Sequence, residues 1–504
     1  MNPRASASAW IGRIAIGLLV LVVAIFAGQQ LVSPDKRVVQ VLAAGLLVFF
    51  AFRSRLITGL MLAVLFLPFQ KGTSYGSTNR AFMLLIFIVW VFRVTTGRVK
   101  GAGRTPLDLP IIGLIMAYGL SFINVAVPEY IPLAWAQFAG FVTYIFLMYL
   151  VVNIVRTTEY VRKILIAQCV SCFLVCLVAL FEQTHPGGAI VAGWIDFNQT
   201  RAPLGLGARL GSTFLDYELF GEYCAINIVL QIFMFQHAPS RSRKGIFAGL
   251  MVLTFYCLLA TVTRGAIITI IAGLIYLAWL SRARLNFIKV TTATCLVVGL
   301  IGGGDFIVSH FTSSDSVLTR LFASQLKNGV PDSRAGAWTA VWAEIVKSPV
   351  IGHGPYYSIE KGLGLQWWPH NVYLYYAYIT GFVGLFFFLW ILRELWITSK
   401  PMAASFGSGT YIQSATVLVR VMLFMFILDQ TKIDYLRNGT YSFFVWFLFG
   451  LILAVCNVAR LEANSLAVVE GVAPARPLLE RVRAQGAAGS PRMSVSTTPA
   501  VPLR

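Results

Sequence analysis

A histidine and an asparagine open the apolar, aromatic segment "HNVYLYYAYITGFVG" at residues 370–384. Because an imidazole titrates near neutral pH, His370 is a candidate general base that removes a proton from a hydroxyl group. On a helical wheel of about 100° per residue, Ala377, Gly381 and Gly384 fall within about 40° of this histidine. Such a stripe of small residues allows a neighbouring helix to approach closely, which would fix the position of His370. The alternative is an amphipathic anchor at a membrane interface.

Arginines in three other segments have side chains suited to phosphate. Arg264 lies in "TVTRGAIITII", Arg334 lies in "DSRAGAWTAVWAEIVK", and Arg209 lies in "ARLGSTF". A guanidinium stays charged and binds phosphate through two parallel hydrogen bonds. A cluster of these arginines at a membrane surface would therefore suit an anionic lipid head group. The alternatives are that Arg264 marks a helix end and that the other two are solvated loop charges.

Arg420 differs from these arginines because it falls in the middle of the apolar run "ATVLVRVMLFMF". A charge in the middle of a membrane span is costly, and it is usually functional or paired. Asp429 and Glu182 are candidate partners, and snorkelling towards the interface is the alternative.

Two glutamates, Glu218 and Glu222, are four residues apart in "DYELFGEYCA" and so share one helix face. They could line a pocket for an acceptor, pair with an arginine, or act as the base in place of the histidine. The sequence leaves these three roles open.

Motifs typical of metal and cofactor sites are not found in the sequence. It contains no Asp-x-Asp, no His-x3-His, no clustered Cys and His, and no P-loop or dinucleotide fingerprint in a strand–helix context. We therefore expect no metal and no cofactor, with any catalysis carried out by Arg and His side chains.

The composition is that of a membrane protein. Of 504 residues, 58% are hydrophobic and 12% are charged, with a mean hydropathy of +0.75. Soluble domains carry about 25% charged residues. The net charge of +20 does not predict nucleic-acid binding, because the basic residues lie in short clusters between apolar runs.

Apolar runs long enough to cross a bilayer predict an all-α integral membrane protein with about 12–14 transmembrane helices. The candidate spans are 14–32, 38–52, 56–70, 81–93, 109–127, 133–154, 164–182, 214–235, 246–262, 265–280, 288–306, 370–392, 412–430 and 440–458.

Lysine and arginine bias sets the expected orientation. With the N-terminus in the cytoplasm, alternate links are consistently basic, both termini are cytoplasmic, and His370 and the arginine clusters face outward. A long outer loop, 307–369, precedes the third-last helix, and its segment 332–347 has helical apolar spacing that suits the membrane surface. The tail 461–504 is rich in Ala, Pro, Ser and Thr and is expected to be disordered.

The order of these motifs resembles that of a known family. Residues 370–384 fit the pattern His-[Asn/Ser/Gln]-x9-Gly-x2-[Gly/Thr/Tyr], which resembles the signature of the O-antigen ligase and polymerase superfamily of bacterial envelope glycosyltransferases. "TRGA" is similar to the family's Ser-Arg-Gly-Ala stretch, and Arg334 with Trp338 resembles its Arg-x3-Trp run. "ARLGSTFLDYELFGEYCA" is similar to an earlier arginine segment, although residues 216–218 depart from the family pattern.

The resemblance implies three regions. Residues 1–204 would be N-terminal transmembrane helices, which are family-like only in hydropathy. Residues 205–460 would be the catalytic membrane region, and residues 461–504 the cytoplasmic tail.

The resemblance also implies a GT-C-like fold and a metal-free, inverting glycosyltransferase. The donor would be a glycan on undecaprenyl diphosphate at the periplasmic face of the bacterial inner membrane. Arg264 and Arg334 would hold the diphosphate, and His370 would deprotonate or orient the acceptor hydroxyl. Residues that would contact substrate are Arg209, Arg420, Asn371, Glu218 and Glu222, and residues that would be structural are Gly381, Gly384 and Trp338.

The acceptor stays open, because the motifs are shared by several activities. A ligase would use lipid A–core, a polymerase a second lipid-linked repeat, and a protein glycosyltransferase a Ser or Thr hydroxyl. The long outer loops slightly favour the polymerase. Alternatives are a transporter of lipid-linked oligosaccharides and a SEDS-type peptidoglycan polymerase with an acidic catalytic residue. Membrane lipids and other polysaccharide assembly proteins are the further expected partners.

Overall fold

The computed structural model describes residues 53–70, 72–73, 76–101, 103–125, 128–185, 189–191, 195–196, 209–281, 333–355 and 369–469. The chain divides into two units, Met1–Gly59 and Leu60–Arg504. Only residues 53–59 of the first unit are described, and the site and packing below belong to the second unit.

Twelve α-helices and two short hairpins lie in the described ranges. The helices are α1 (Leu56–Phe66), α2 (Thr78–Thr95), α3 (Asp108–Leu120), α4 (Ile131–Ile154), α5 (Thr158–Thr184), α6 (Tyr217–Gln236), α7 (Arg241–Ala260), α8 (Arg264–Leu280), α9 (Ser333–Lys347), α10 (Val372–Thr398), α11 (Tyr411–Asp429) and α12 (Gly439–Val469). The antiparallel hairpins are β1 (Gly72–Thr73) with β2 (Gly76–Ser77), and β3 (Ala189–Val191) with β4 (Ile195–Asp196).

Eight of the described helices are long and apolar enough to cross a membrane, namely α2, α4, α5, α6, α7, α10, α11 and α12. Helices α1, α3 and α8 are shorter apolar helices. Because a helix of about 20 apolar residues spans the hydrocarbon core, these lengths confirm the prediction of an all-α, multi-pass membrane protein.

The predicted spans largely coincide with observed helices. Spans 14–32, 38–52 and 288–306 lie outside the described residues. One boundary is wrong: residues 461–469, assigned to a disordered tail, continue helix α12. The remaining tail lies outside the described residues, and the division into three regions stays a prediction.

Helix α12 forms the centre of the bundle. The apolar window of this helix is completely buried, and α12 packs along α4, while α6 packs along α7 and α8. A Cβ atom placed on Gly450 would lie 2.8 Å from the Met148 carbonyl oxygen, so glycine allows α12 to approach α4 closely. By contrast, apolar side chains such as Ile88, Val252 and Ile275 are largely exposed, as expected for a lipid-facing surface.

Helix α10 is interrupted at Gly381, which has φ 67° and ψ −175°. The loop segment 349–354 docks into this break. The backbone N–H of His353 donates to the carbonyl of Tyr378 at 2.8 Å, and the N–H of Phe382 donates back into the segment at 2.7 Å. The loop thus satisfies backbone groups that the break removes from the helix, as buried backbone requires.

Two glycines make this docking possible. A Cβ atom on Gly352 would lie 2.5 Å from the backbone nitrogen of Gly381, and a Cβ atom on Gly381 would overlap the carbonyl of Val350. The sequence predicted that Gly381 lets a neighbouring helix approach. The structure corrects this: the close neighbour is a loop backbone, because the positive φ of Gly381 breaks the helix at that point.

We expect Gly381→Ala to lower the free energy of unfolding by about 2 kcal/mol or more, because that backbone region is essentially restricted to glycine. Thermal denaturation of the detergent-solubilised protein measures the change. Gly249→Ala is the matched control, since a Cβ atom there meets no neighbour within 4 Å. Equal melting temperatures for the two variants would contradict the docked-loop interpretation.

Candidate active site at one end of the helix bundle

His370 and Glu218 form a polar pair at one end of the bundle. The imidazole Nδ1 atom of His370 lies 3.2 Å from the Oε2 atom of Glu218, and the two side chains are 31% and 12% exposed. Glu218 lies in the first turn of α6, which Asp216 caps through the N–H groups of Glu218 and Leu219. His370 has φ 44°, a left-handed conformation that is uncommon for a residue with a side chain. Its backbone is therefore held by its surroundings.

Asn371 fixes the start of α10 directly after the histidine. The side-chain oxygen of Asn371 accepts hydrogen bonds from the N–H groups of Tyr373 and Leu374, both at 3.0 Å. Its amide nitrogen donates to the carbonyl of Thr431 at 3.1 Å. Asn371 thus caps one helix and ties it to the segment that follows α11, which places His370 beside that segment.

That segment, residues 429–432, is here called the polar junction. The side-chain amide nitrogen of Gln430 donates to the Glu222 carboxylate at 3.1 Å. The backbone carbonyl of Gln430 accepts a hydrogen bond from the N–H of Val372 at 3.1 Å. Glu222 is fully buried. This glutamate therefore connects helices inside the bundle, whereas Glu218, one turn earlier, reaches the histidine. A role of Glu222 in substrate binding stays a prediction.

Lys432 of the polar junction adds a cation next to Arg264. Its Nζ atom donates to the carbonyl of Gly265 at 2.8 Å and lies 3.3 Å from the Asp429 carboxylate. The hydroxyl of Thr269 donates to the same carboxylate at 2.8 Å. Lys432 was not among the candidates predicted from the sequence. Its position just beyond the apolar span 412–430 is the sequence feature that could have indicated a cation at this end of the bundle.

Arg264 begins helix α8 and is half-buried. The turn before it is held by Arg209, whose guanidinium donates to the carbonyls of Thr261 and Val262 at 3.0 and 2.8 Å. The same guanidinium stacks on the ring of Tyr217 at 3.4 Å. Val262 has φ 50°, so the turn is a strained one that Arg209 stabilises. These contacts give Arg209 a positioning role for Arg264, and its role in substrate binding stays a prediction.

Loop helix α9 reaches the site through Trp338. The indole N–H of Trp338 donates to the carbonyl of Pro369 at 2.8 Å, directly before the histidine. Arg334 lies one turn earlier on α9 and therefore on the same face of this helix. The side chain of Arg334 lies outside the described residues. The helix predicted for 332–347 is confirmed as Ser333–Lys347.

Arg420 lies away from the histidine and contacts the residues that end α10. Its guanidinium donates to the hydroxyl of Tyr276 at 3.1 Å, to the hydroxyl of Ser399 at 3.0 Å and to the carbonyl of Trp396. It also stacks on the Trp396 ring at 3.2 Å. The charge in the middle of the span is thus satisfied by carbonyl, hydroxyl and aromatic groups, at the opposite end of α10 from His370.

The two partners proposed for Arg420 from the sequence were wrong. Glu182 accepts hydrogen bonds from the N–H groups of Gly211 and Ser212, and Asp429 belongs to the polar junction. Neither pairing is decided by sequence spacing, because both depend on which helix ends meet. A substrate contact of Arg420 stays a prediction.

In the part of the chain that the structure describes, no group of three or more His, Cys, Asp or Glu side chains is arranged to hold a metal ion. Six of the seven cysteines are described, and each is a buried free thiol. Cys295 lies outside the described residues. No metal ligand is therefore assigned among these described side chains.

We expect Asn371→Ala to lower the free energy of unfolding by about 1–2 kcal/mol, because the variant loses both the helix cap and the bond to Thr431. Asn371→Ser keeps a capping oxygen but cannot reach Thr431, so it should recover about half of the loss. Denaturation in detergent measures this order. A serine variant as destabilised as the alanine variant would contradict the capping role.

Comparison with known protein families gives a match for one part of the chain. Residues 249–389 match the family model described as O-antigen ligase. No curated protein matches the chain. The matched range includes Arg264, Arg334 and His370 but not Glu218 or the polar junction. The match supports assigning residues 249–389 to the O-antigen ligase and polymerase superfamily.

Proposed function

We propose that the protein transfers or polymerises a glycan carried on undecaprenyl diphosphate. The observation that carries the proposal is the pairing of His370 with Glu218 at the end of the bundle where α8 begins with Arg264. A base and a cation at one site provide what a hydroxyl acceptor and a phosphate leaving group need.

Glu218 is the positioning residue in this proposal. If the Nδ1–H group of His370 donates to the Glu218 carboxylate, the Nε2 atom is left unprotonated and can accept a proton. A carboxylate that holds an imidazole in one tautomer, and stabilises the imidazolium that forms, has the same role in hydrolytic triads. The short distance and the small exposure of Glu218 favour this arrangement.

These groups account for every bond, proton and electron pair that changes in the proposed reaction. The oxygen of the acceptor hydroxyl attacks the anomeric carbon of the donor, and the bond between that carbon and the diphosphate oxygen breaks. The hydroxyl proton goes to Nε2 of His370. The electron pair goes to undecaprenyl diphosphate, whose negative charge Arg264, Lys432 and Arg334 stabilise. A single displacement inverts the anomeric carbon.

We place the site at the periplasmic face of the bacterial inner membrane, with both termini in the cytoplasm. The basic links at the opposite end of the predicted spans support this orientation. We favour a polymerase that acts in O-antigen or exopolysaccharide assembly, with a second lipid-linked repeat as acceptor. The length of the predicted outer loop 307–369 supports that preference, since outer loops of this length are usually functional. Ligation to lipid A–core or to a protein hydroxyl is the alternative acceptor chemistry.

The first test supplies the purified full chain with an undecaprenyl-diphosphate-linked repeat unit in liposomes. We expect a ladder of longer lipid-linked glycans together with free undecaprenyl diphosphate, measured by gel and mass spectrometry. Transfer that occurs only after lipid A–core or an acceptor protein is added would replace the polymerase with a ligase or a protein glycosyltransferase. Movement of the lipid between leaflets without diphosphate release would indicate a transporter instead.

The second test examines the His370–Glu218 pair. We expect His370→Ala to lower kcat by about 10²–10⁴-fold, as for the loss of a general base. Glu218→Gln should lower kcat by at least about tenfold with little change in KM, because it disturbs the histidine tautomer. His185→Ala is the control, since that histidine is exposed at the end of α5. If His370→Ala and His185→Ala had equal activity, the assignment of the base would be wrong.

A further inference from the structure

A polar cavity lies among α2, α3, α4 and the segment that precedes α12. Its volume is about 420 Å³, which falls in the usual range of small-molecule sites. The polar side chains that line it come from the β1–β2 region, α2, α3 and α4: Gln70, Arg80, Tyr118, Gln137 and Tyr144. None of these residues belongs to a motif recognised in the sequence, and they lie outside the range that matches the O-antigen ligase family model.

Arg80 supplies the charge of this cavity. It is half-buried in the first turn of α2. Among the described residues, no carboxylate forms an ion pair with Arg80, and the residues that line the cavity include no acid. A partly desolvated guanidinium without an acidic partner is suited to an anionic ligand.

Two glycines on facing helices provide room for the polar side chains. A Cβ atom on Gly140 of α4 would lie 2.5 Å from Nη2 of Arg80. A Cβ atom on Gly439 of α12 would lie 3.0 Å from the Tyr144 hydroxyl oxygen and 3.4 Å from Nε2 of Gln70. The cavity therefore depends on both positions lacking a side chain, and a single methyl group at Gly140 would displace the guanidinium.

The cavity is connected to the candidate active site through one short segment. Leu436 and Gly439 line the cavity, and Thr431, a few residues earlier, accepts the hydrogen bond from Asn371. The hydroxyl groups of Tyr376 on α10 and Tyr435 in this segment are 2.7 Å apart. A glycan held in the cavity would therefore lie next to the loop that positions the histidine.

We propose that this cavity binds a carboxylate-bearing sugar residue of the acceptor glycan, an inference that rests on the proposed function. Arg80 binds the carboxylate. Gln70 and Gln137 supply amide donors and acceptors that match sugar hydroxyls. A lipid diphosphate carries more negative charge than one guanidinium can balance, whereas a single sugar carboxylate matches the one charge of the lining. The glycan is therefore favoured over a lipid head group.

The test measures binding of a hyaluronan tetrasaccharide, which carries glucuronic acid, to the purified full chain in detergent. The matched ligand is the same tetrasaccharide with its carboxyl groups reduced to alcohols. Arg80→Gln and Gly140→Ala should each weaken binding of the acidic form by about tenfold, which is the loss expected for one charge-assisted hydrogen bond. Arg93→Gln, near the other end of α2, is the control and should bind like the unaltered protein.

Several results would overturn the proposal. Equal affinity for the acidic and reduced tetrasaccharides would show that the carboxylate is not recognised. Unchanged affinity in both cavity variants would show that the tetrasaccharide does not bind in this cavity. Inorganic diphosphate that displaces the tetrasaccharide in an Arg80-dependent manner would assign the cavity to the lipid carrier instead. Melting temperatures near that of the unaltered protein show that the variants fold.

The binding assay separates this inference from the proposed function, because it involves no transfer reaction. Arg80-dependent binding without glycan transfer to any of the supplied acceptors would support the cavity and overturn the glycosyltransferase. Glycan transfer without Arg80-dependent binding would support the glycosyltransferase and overturn the proposed role of the cavity.

Discussion

Buried polar groups inside an apolar bundle must find partners within the protein, and this constraint organises the end of the molecule that holds His370. No water is available in the hydrocarbon core to satisfy an unpaired carboxylate or amide. The polar junction at residues 429–432 meets this need for several helices together, since Gln430 binds Glu222 of α6, Lys432 binds the first turn of α8, and the Thr431 carbonyl binds the cap of α10. The helices that carry the candidate site are therefore fixed by one network.

This network has a consequence for chemistry. Residues that are locked by several hydrogen bonds hold their geometry without reorganising during a reaction, which is how preorganised sites stabilise developing charge. His370 has a left-handed backbone conformation that its neighbours must maintain, and Arg209 similarly holds the turn before Arg264. The candidate base and the candidate cation are thus each supported by a residue that does not itself have to touch substrate.

The loop before α10 also helps to hold the helices of the candidate site in place. Its segment 349–354 fills the helix break at Gly381, and Trp338 of α9 binds the carbonyl just before the histidine. The loop is therefore attached at two points of α10, one at its start and one at the break. Helix α9, which carries Arg334, is thereby attached to the start of α10. The polar cavity around Arg80 lies among α2, α3 and α4.

The sequence by itself determined the membrane class, the positions of most spans, and the candidates His370, Arg264 and Arg334, because hydropathy, charge bias and motif spacing are local properties. It did not determine the partners of buried polar groups. The Glu218–His370 pair, the role of Lys432, the contacts of Arg420 and the cavity around Arg80 join residues from distant parts of the chain. Gly381 shows the same limit within one motif: its spacing suggested a small-residue stripe, whereas tertiary packing uses its positive φ to seat a loop. Only the tertiary structure decided these features, because they depend on which helix ends meet, and helical periodicity carries no information about that.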